Sequence, residues 1–166
     1  MLDYQDAHLE FVSLSKLAGD VVQRIRHLRP HVVLTFGGDG ALNTHPDHTV
    51  VSASTTAAFH WSGSSKRFPT LGDPHQPQRL FYLTNDFFLP NRPRPLPTPW
   101  TLTLDIRPVF EIKVAALAAH TSQAPLLDQV RPLFQRHGQQ ERYALAATRT
   151  PQPATQSTDL FESIDE

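Results

Sequence analysis

The 166-residue sequence predicts an α/β fold with a parallel sheet, and two adjacent segments carry that prediction. In Leu14–Leu28, apolar residues recur at three- and four-residue steps, which is the stripe of an amphipathic helix. Pro30 ends this helix, because a proline pushes the residue before it out of the helical region. Residues 31–36 then form an apolar, β-branched run typical of a buried strand. A helix, a short turn and a buried strand make half of an α/β repeat.

The rest of the chain alternates between regular elements and proline-rich loops. Pro46 suits the first position of a helix that extends to about Trp61, and Thr44 and Asp47 have the spacing of a capping box. The other predicted elements are strands at 79–84, 101–106 (at a sheet edge) and 141–147, and helices at 109–121 and 126–136. The chain is polar from residue 150 onward, so we predict one domain over residues 1–149 and a disordered tail over 150–166.

Composition excludes several classes of function. The formal net charge is −1, which gives no basic field for nucleic acid. No apolar run approaches the roughly 20 residues that span a bilayer, and the first ten residues lack the basic and apolar parts of a signal peptide. Without cysteine there is no disulfide, thiolate metal site or cysteine nucleophile. We expect a cytoplasmic protein, and the sequence does not indicate its oligomeric state.

The loop after the first strand holds the residues best suited to chemistry. Ligands of open α/β sheets bind at the carboxyl ends of strands, and His45, Asp47 and His48 follow such an end. One imidazole could bind a metal while the other faces a substrate, and Asp47 could hold a ring N–H. The alternative is a polar helix N-terminus, in which Asp47 favours the positive end of the dipole. A catalytic zinc site needs three protein ligands and a water. The cluster alone supplies at most two imidazole nitrogens and one carboxylate oxygen.

Two other motifs admit more than one interpretation. Gly37-Gly-Asp-Gly40 resembles the phosphate-binding GGDG loop of nicotinamide-dinucleotide and lipid kinases, although Ala41 replaces their usual threonine. A turn that needs positive φ explains the glycines equally well. Lys113 and His120 are seven residues apart on the predicted helix and share a face, yet alanines packing on a sheet with polar helix ends would give the same pattern.

Five segments match, in order, the landmarks of one family. They are Leu2-Asp-Tyr-Gln-Asp6, Arg29-Pro-His-Val-Val-Leu-Thr-Phe36, Asp39-Gly40 through His45-Pro-Asp-His48, Lys113-x-x-Ala-Leu-x-x-His-x-Ser-Gln123 and Glu141-Arg-Tyr-Ala-Leu145. Together they resemble the PIG-L/LmbE family of zinc-dependent N-acetylglucosamine-type deacetylases. Five ordered landmarks are far more specific than any one of them.

The resemblance implies a Rossmann-like α/β domain with a mostly parallel sheet flanked by helices, and a Zn²⁺ cofactor. It implies that His48 is a zinc ligand, that His45 is catalytic by stabilising the oxyanion and assisting the leaving amine, and that Asp47 orients it. Substrate-binding roles follow for Asp39, Asn43 and His120. The implied reaction is hydrolysis of the acetamide of an N-acetylated amino sugar, carried on a small molecule or a glycolipid.

One family motif has no counterpart in this sequence. The family carries H-P-D-D-E after its first strand, which supplies two zinc ligands and the general-base aspartate, and nothing here resembles it. We therefore expect the C-terminal part of a deacetylase domain with the first βαβ part missing. A mis-assigned start, a truncated gene and a natural remnant all remain open. Deacetylation is the leading function, followed by a non-catalytic fragment or binding module of the same fold, and then by the kinase-like interpretation of the glycine loop.

Overall fold

A computed structural model describes residues 2–41, 44–89, 93–151, 153 and 155–164, with the backbone alone described for 123–129. In chain order its elements are α1 (Leu14–Leu28), β1 (Val32–Phe36), α2 (Pro46–Trp61), β2 (Arg79–Thr84), β3 (Leu102–Asp105), α3 (Phe110–Ala118), α4 (Ala124–His137) and β4 (Gln140–Thr148). Short 3₁₀ turns precede α1 at Leu9–Phe11 and α3 at Arg107–Val109. No helix in the described ranges is long and apolar enough to cross a membrane.

The four strands form one mixed sheet in the order β1-β2-β4-β3. β1 and β2 are parallel, and β4 runs antiparallel to both β2 and β3. The predicted α/β class with flanking helices is confirmed, whereas the described sheet has one parallel pair and two antiparallel pairs instead of being mostly parallel. An apolar strand pattern reports burial and not direction, so the reversed course of β4 could not be inferred from its residues.

The pairing of the strands brings three chain segments to one edge of the sheet. Phe36, the last residue of β1, pairs with Leu83 near the end of β2. Leu83 pairs in turn with Tyr143 near the start of β4. The loop after β1, the residues after β2 and the start of β4 therefore lie at the same edge. This is the edge at which the sequence analysis places the site.

Helix α1 forms where it was predicted and packs on α2. Ser13 caps its N-terminus by accepting a hydrogen bond from the Lys16 amide, and Arg29 ends it in the left-handed conformation (φ 49°). The apolar stripe of α1 and Ala58 of α2 form a buried cluster, whose members are Ala18, Val22, Ile25 and Ala58. Full burial of a side chain such as Val22 or Ile25 contributes about 1.5–3 kcal/mol.

A buried arginine of α1 organises the loop after α2. Arg26 is 4% exposed and its guanidinium donates to five main-chain carbonyls at 2.7–3.2 Å. These carbonyls belong to Ser62, Ser64, Arg67, Phe68 and Gly72. One side chain thus provides the hydrogen bonds for the inward-facing carbonyls of this loop. The helical spacing of the apolar residues in α1 does not predict this role of Arg26.

The last described residues contact the sheet, which differs from the predicted disordered tail. Ser157 pairs with the outer edge of β3, through hydrogen bonds to Thr101 and Thr103 at 2.8 and 3.1 Å. Arg79 donates to the carbonyls of Leu160 and Glu162, and Leu160 packs on the apolar cluster around Phe81. Polar composition predicted disorder, but an open strand edge and a buried arginine supply partners for this backbone.

Candidate active site

Helix α2 begins with the residues that the sequence analysis selected. Its first helical residue is Pro46, as predicted, but the N-cap is His45 and not Thr44. The His45 ring accepts a hydrogen bond from the Asp47 amide at 3.2 Å, which takes the place of the predicted capping box. An imidazole nitrogen here fills the role that a hydroxyl or carboxylate oxygen usually has at this position.

Two contacts hold the ring of His48 in place, a hydrogen bond at one nitrogen and an aromatic ring stacked on one face. Its Nδ1 lies 3.0 Å from the carbonyl oxygen of Gly40, and its plane stacks on Phe36 with the centroids 4.0 Å apart and 3° between the planes. A carbonyl oxygen only accepts hydrogen bonds, so Nδ1 carries the proton and a neutral His48 has its lone pair on Nε2. A hydrogen bond from one ring nitrogen to a main-chain carbonyl is the usual support of a metal-binding histidine.

His45 has the opposite tautomer. Its Nδ1 accepts from the Asp47 amide, so a neutral His45 carries its proton on Nε2. The two rings lie 5.5 Å apart between centroids and are tilted by 43°. A lone pair on one ring and an N–H on the other, side by side, suit a pair in which one imidazole binds a cation and the other donates to an oxyanion.

The carboxylate of Asp47 binds the N-terminal segment and not an imidazole. Its two oxygens accept from the amides of Ala7 at 2.7 Å and Leu9 at 3.1 Å, and the residue is 8% exposed. The expected contact between this carboxylate and a ring N–H is therefore absent from the described hydrogen bonds. Asp47 reaches His45 through its main-chain N–H, and its side chain holds residues 7–9 against the start of α2.

Asp39 occupies the turn between β1 and α2. Its Oδ1 accepts from the Ala41 amide at 3.2 Å, while its Oδ2 is buried and has no hydrogen-bond partner among the described residues. A buried acceptor without a partner calls for an explanation, and a bound ligand is one. Asn43, the other residue of this loop predicted to bind substrate, lies outside the described residues.

His120 lies in an exposed turn beyond the end of α3. The helix predicted over residues 109–121 spans only Phe110–Ala118, so Lys113 and His120 do not share a helical face. The side chain of Lys113 instead pairs with Glu141 of β4 at 2.8 Å. No described contact joins His120 to His45 or His48, and its role in substrate binding stays a prediction.

The described residues fit one ligand position of a zinc site and not a complete one. His48 Nε2 is suited to bind a metal ion, as its neutral tautomer shows. Among the described residues, however, no group of three or more histidine, aspartate or glutamate side chains could hold a metal ion. A catalytic zinc takes three protein ligands and a water, so the described residues do not make a catalytic zinc centre by themselves.

Two features of the site were not found from the sequence. Phe36 stacks on His48, and the Gly40 carbonyl sets its tautomer. Gly40 has the positive φ (+74°) that one interpretation of the glycine loop predicted, and a Cβ there would lie 3.1–3.4 Å from Thr49, Thr44 and His45, so glycine is favoured. An aromatic residue at the end of a strand and a positive-φ glycine before an HxxH pair are the signals that could have indicated these contacts.

The fold of this chain is similar to the folds of two solved structures. The chain matches the conserved protein TT1542 from Thermus thermophilus with a TM-score of 0.61 and 24% identity, over 83% of this chain and 61% of that one. It matches the N,N'-diacetylchitobiose deacetylase from Pyrococcus horikoshii with a TM-score of 0.66 and 15% identity, over 87% and 55%. At these identities the likeness shows the fold, which is the Rossmann-like α/β fold of these proteins.

Sequence comparison relates the N-terminal third of the chain to one protein family. Residues 1–59 match the profile of the PIG-L family, described as GlcNAc-PI de-N-acetylase. This part of the chain, which includes α1, β1 and the His45–His48 loop, is similar to that family. The predicted resemblance is thereby confirmed.

Two relatives with similar sequences are named as a deacetylase and an amidase. A 1D-myo-inositol 2-acetamido-2-deoxy-alpha-D-glucopyranoside deacetylase of Rhodococcus jostii is 34% identical over 128 residues, which are 64% of this chain and 43% of that protein. A mycothiol S-conjugate amidase of Streptomyces coelicolor is 35% identical over 83 residues, which are 49% and 27%. The chain spans less than half the length of these relatives. Both proteins are named for cleaving amides, one of them in an acetamido sugar.

Proposed function

We propose that the His45–His48 loop serves the hydrolysis of an acetamide on an N-acetylated amino sugar. The observation that carries this proposal is the pair of opposite tautomers, in which His48 presents a lone pair on Nε2 and His45 an N–H. Metal-assisted amide hydrolysis can use both, because the lone pair can hold a Lewis-acidic metal ion while the N–H donates to the oxyanion. The family that residues 1–59 resemble supports the same chemistry.

In this proposal zinc is the cofactor and His48 Nε2 is one of its ligands. When bound, zinc would lower the pKa of its water and polarise the amide carbonyl. Phe36 and the Gly40 carbonyl hold the ring in its binding orientation, so little rotamer freedom is lost on binding. The remaining ligands and the general base would come from polypeptide other than the described residues, which contain no complete set.

His45 and Asp47 have separate tasks in this proposal. The Nε2–H of His45 would donate a hydrogen bond to the oxyanion of the tetrahedral intermediate, and the leaving amine would take the proton that the general base accepted from the attacking water. Asp47 is a positioning residue, since its amide sets the tautomer of His45 and its carboxylate ties Ala7 and Leu9 to the start of α2. Asp39 Oδ2, buried and without a partner among the described residues, would accept a hydrogen bond from a substrate hydroxyl.

The substrate class follows from the names of the relatives. The Rhodococcus jostii relative acts on an acetamido sugar linked to inositol, and the Pyrococcus horikoshii structure is a deacetylase of a disaccharide. For this chain we propose a glycoside in which an N-acetylglucosamine-type ring is joined to a second hydroxyl-rich ring. The experiment is an assay of free amine released from N,N'-diacetylchitobiose and from N-acetylglucosamine. It compares this chain with a fusion that carries the H-P-D-D-E segment of a relative.

A further inference from the structure

An open, polar pocket of about 600 Å³ lies at the sheet edge opposite to the His45–His48 loop. β1 and β2 begin at this edge and β4 ends there, because Val32 pairs with Arg79 and Arg79 pairs with Thr148. The end of α1, the segments before β1 and β2, and the residues after β4 line the pocket. Its volume is within the range of small-molecule sites. None of the residues predicted to be catalytic, metal-binding or substrate-binding is among the described residues that line it.

The ionisable side chains that line this pocket are all basic. Arg29 lies at the end of α1 and Arg149 directly after β4, and the imidazoles of His31 and His75 also line the pocket. No described carboxylate lines it, and Asp73, the acid nearest to His75 in the sequence, is not among the lining residues. The formal net charge of the whole chain is −1, so this positive character is local. The pocket therefore favours an anion over a cation.

The two guanidinium groups of the pocket are not used elsewhere in the described part of the chain. Neither Arg29 nor Arg149 forms a side-chain hydrogen bond, an ion pair or a ring contact with those residues. Arg26, one turn before Arg29, instead gives its guanidinium to five loop carbonyls. Arg29 and Arg149 are both exposed, and each has five N–H donors in a planar fork that suits an oxyanion.

Main-chain carbonyls beside the pocket already accept hydrogen bonds from the chain. The carbonyl of Pro30 accepts from His75 Nε2 at 2.9 Å. The carbonyl of His31 accepts from the Gln78 amide at 2.7 Å, and that of Gln78 from the Arg149 amide at 2.8 Å. An anion would therefore meet less uncompensated negative charge from these oxygens. The same hydrogen bonds hold the segments of the pocket together.

The backbone of Arg29 has the left-handed conformation in which helices usually carry glycine. Its φ and ψ are 49° and 51° at the end of α1, and a residue with a Cβ is strained there. Arg29 thus brings a side chain to the pocket at a position where glycine would cost less. A strained residue of this kind calls for an explanation, and a ligand held by its side chain is one.

From these observations we propose that the pocket binds a small multivalent oxyanion between Arg29 and Arg149. Both guanidinium groups are charged at neutral pH, so a ligand with two or more negative charges matches them. The pocket is larger than a single phosphate group, and a diphosphate or a tricarboxylate of similar size fits it. Because both arginines are exposed, we expect a dissociation constant on the order of 1 mM that rises with salt concentration.

The test measures binding to this chain by amide NMR, without zinc and without turnover. The probes are pyrophosphate, which presents phosphoryl oxygens, and citrate, which presents carboxylates, with sodium chloride at matched ionic strength as the reference. We expect both oxyanions to shift the amides of His31, Gln78 and Thr150, and chloride to leave them unchanged. A response to one oxyanion alone would support the site and identify the group that it selects. The amides of Gly38 and Gly40 should not shift, which separates this pocket from the phosphate-binding interpretation of the glycine loop.

Substitutions of the two arginines test whether they hold the anion. Arg29→Gln and Arg149→Gln should each raise the dissociation constant about tenfold, the effect of losing a hydrogen bond between charged groups. Arg149→Lys, which keeps the charge but loses the planar fork, should raise it less. The matched control is Arg136→Gln, which removes the same charge from an exposed position of α4 outside the pocket and should leave binding unchanged.

Thermal unfolding of each variant without ligand shows whether a loss of binding reflects loss of the fold. Arg149 lies outside the helices and strands, so its variants remain informative if Arg29→Gln unfolds the chain. The proposal is overturned by equal shifts with chloride, by shifts in the glycine loop alone, or by no shift up to about 20 mM of either oxyanion. It is also overturned if Arg136→Gln weakens binding as much as the arginine variants of the pocket. Since the readout involves no amide cleavage, its outcome does not depend on the proposed function.

Discussion

The Nδ1 of His48 lies 3.0 Å from the carbonyl oxygen of Gly40, and this hydrogen bond decides which nitrogen of the ring can bind a metal ion. The contact spans eight residues of sequence and joins the turn after β1 to the first turn of α2. Phe36 at the end of β1 covers one face of the same ring. Strand, turn and helix thus converge on one imidazole.

Gly40→Ala tests whether this turn needs glycine. The backbone has φ +74°, and a Cβ would approach Thr49, the Cα of Thr44 and the carbonyl of His45 at 3.1–3.4 Å. We expect the free energy of unfolding to fall by about 1–3 kcal/mol, because a residue with a Cβ is strained here and two of its contacts are backbone atoms. Denaturant unfolding measures the change.

Gly38→Ala is the matched control in the same turn. A Cβ at Gly38 meets nothing within 4 Å, and its φ is not in the left-handed region. Its free energy of unfolding should stay within about 0.5 kcal/mol of the parent chain. Equal destabilisation by both substitutions would show that the turn tolerates no side chain for a reason other than the geometry of Gly40.

Zinc binding by this chain should be weak and should depend on His48. Only one ligand position is supported by the described residues, so calorimetric titration should detect weak binding that His48→Ala removes. His45→Ala should leave it unchanged, because the His45 Nδ1 is engaged by the Asp47 amide. Stoichiometric zinc that survives dialysis would show that the chain completes a metal site by itself.

Arg26→Met should be among the most destabilising substitutions in α1. It removes five hydrogen bonds to the carbonyls of the loop after α2 and leaves them buried without a donor. We expect a loss of about 3 kcal/mol or more in the free energy of unfolding. Arg24→Met, at an exposed position of the same helix, should change it by about 0.5 kcal/mol or less. Similar losses in both variants would contradict the organising role of Arg26.

Glu141 should make the fold sensitive to acid. Burial opposes its charged form, but hydrogen bonds from Lys113 and Tyr143 outweigh this and lower the pKa of Glu141 below its ordinary value of 4.5. A lowered folded-state pKa stabilises the fold above about pH 4.5, and this stability is lost as the pH falls through the folded-state value. Glu141→Gln should therefore flatten the decline of the unfolding free energy below pH 4.5. Glu111→Gln, at an exposed position of α3, should leave the slope as it is.

Local sequence patterns predicted most helices and strands, but they did not predict contacts between distant segments of the chain. The stripe of α1 and Pro46 at the start of α2 fixed two helices at their observed bounds, because each depends on residues within a few positions. The carboxylate of Asp47 was expected on a neighbouring imidazole, yet it binds amides 40 and 38 residues away. The antiparallel course of β4, and the pairing of Ser157 with β3, likewise depend on chain segments that meet only in the folded protein.

We expect Asp47→Asn to reduce turnover less than His45→Ala does, because the Asp47 carboxylate binds the N-terminal segment. The substitution keeps the main-chain N–H that sets the tautomer of His45, and it weakens only the hold on Ala7 and Leu9. It should lower stability by about 1–2 kcal/mol, the usual effect of weakening hydrogen bonds to a charged acceptor. In an active fusion its turnover should fall less than that of His45→Ala. A larger loss of turnover than for His45→Ala would mean that the carboxylate acts in the chemistry itself.

The most direct test of the proposed function is the release of free amine from N,N'-diacetylchitobiose by a fusion of this chain to the H-P-D-D-E segment of a relative. We predict zinc-dependent turnover by the fusion and none by this chain alone. His48→Ala should abolish both bound zinc and turnover. His45→Ala should keep zinc and slow turnover by roughly two to four powers of ten, the range for oxyanion donors and acid–base groups. The proposed function would be contradicted by a fusion that folds and holds zinc but releases no amine from N,N'-diacetylchitobiose or N-acetylglucosamine. Full turnover in the His45→Ala variant would also contradict it.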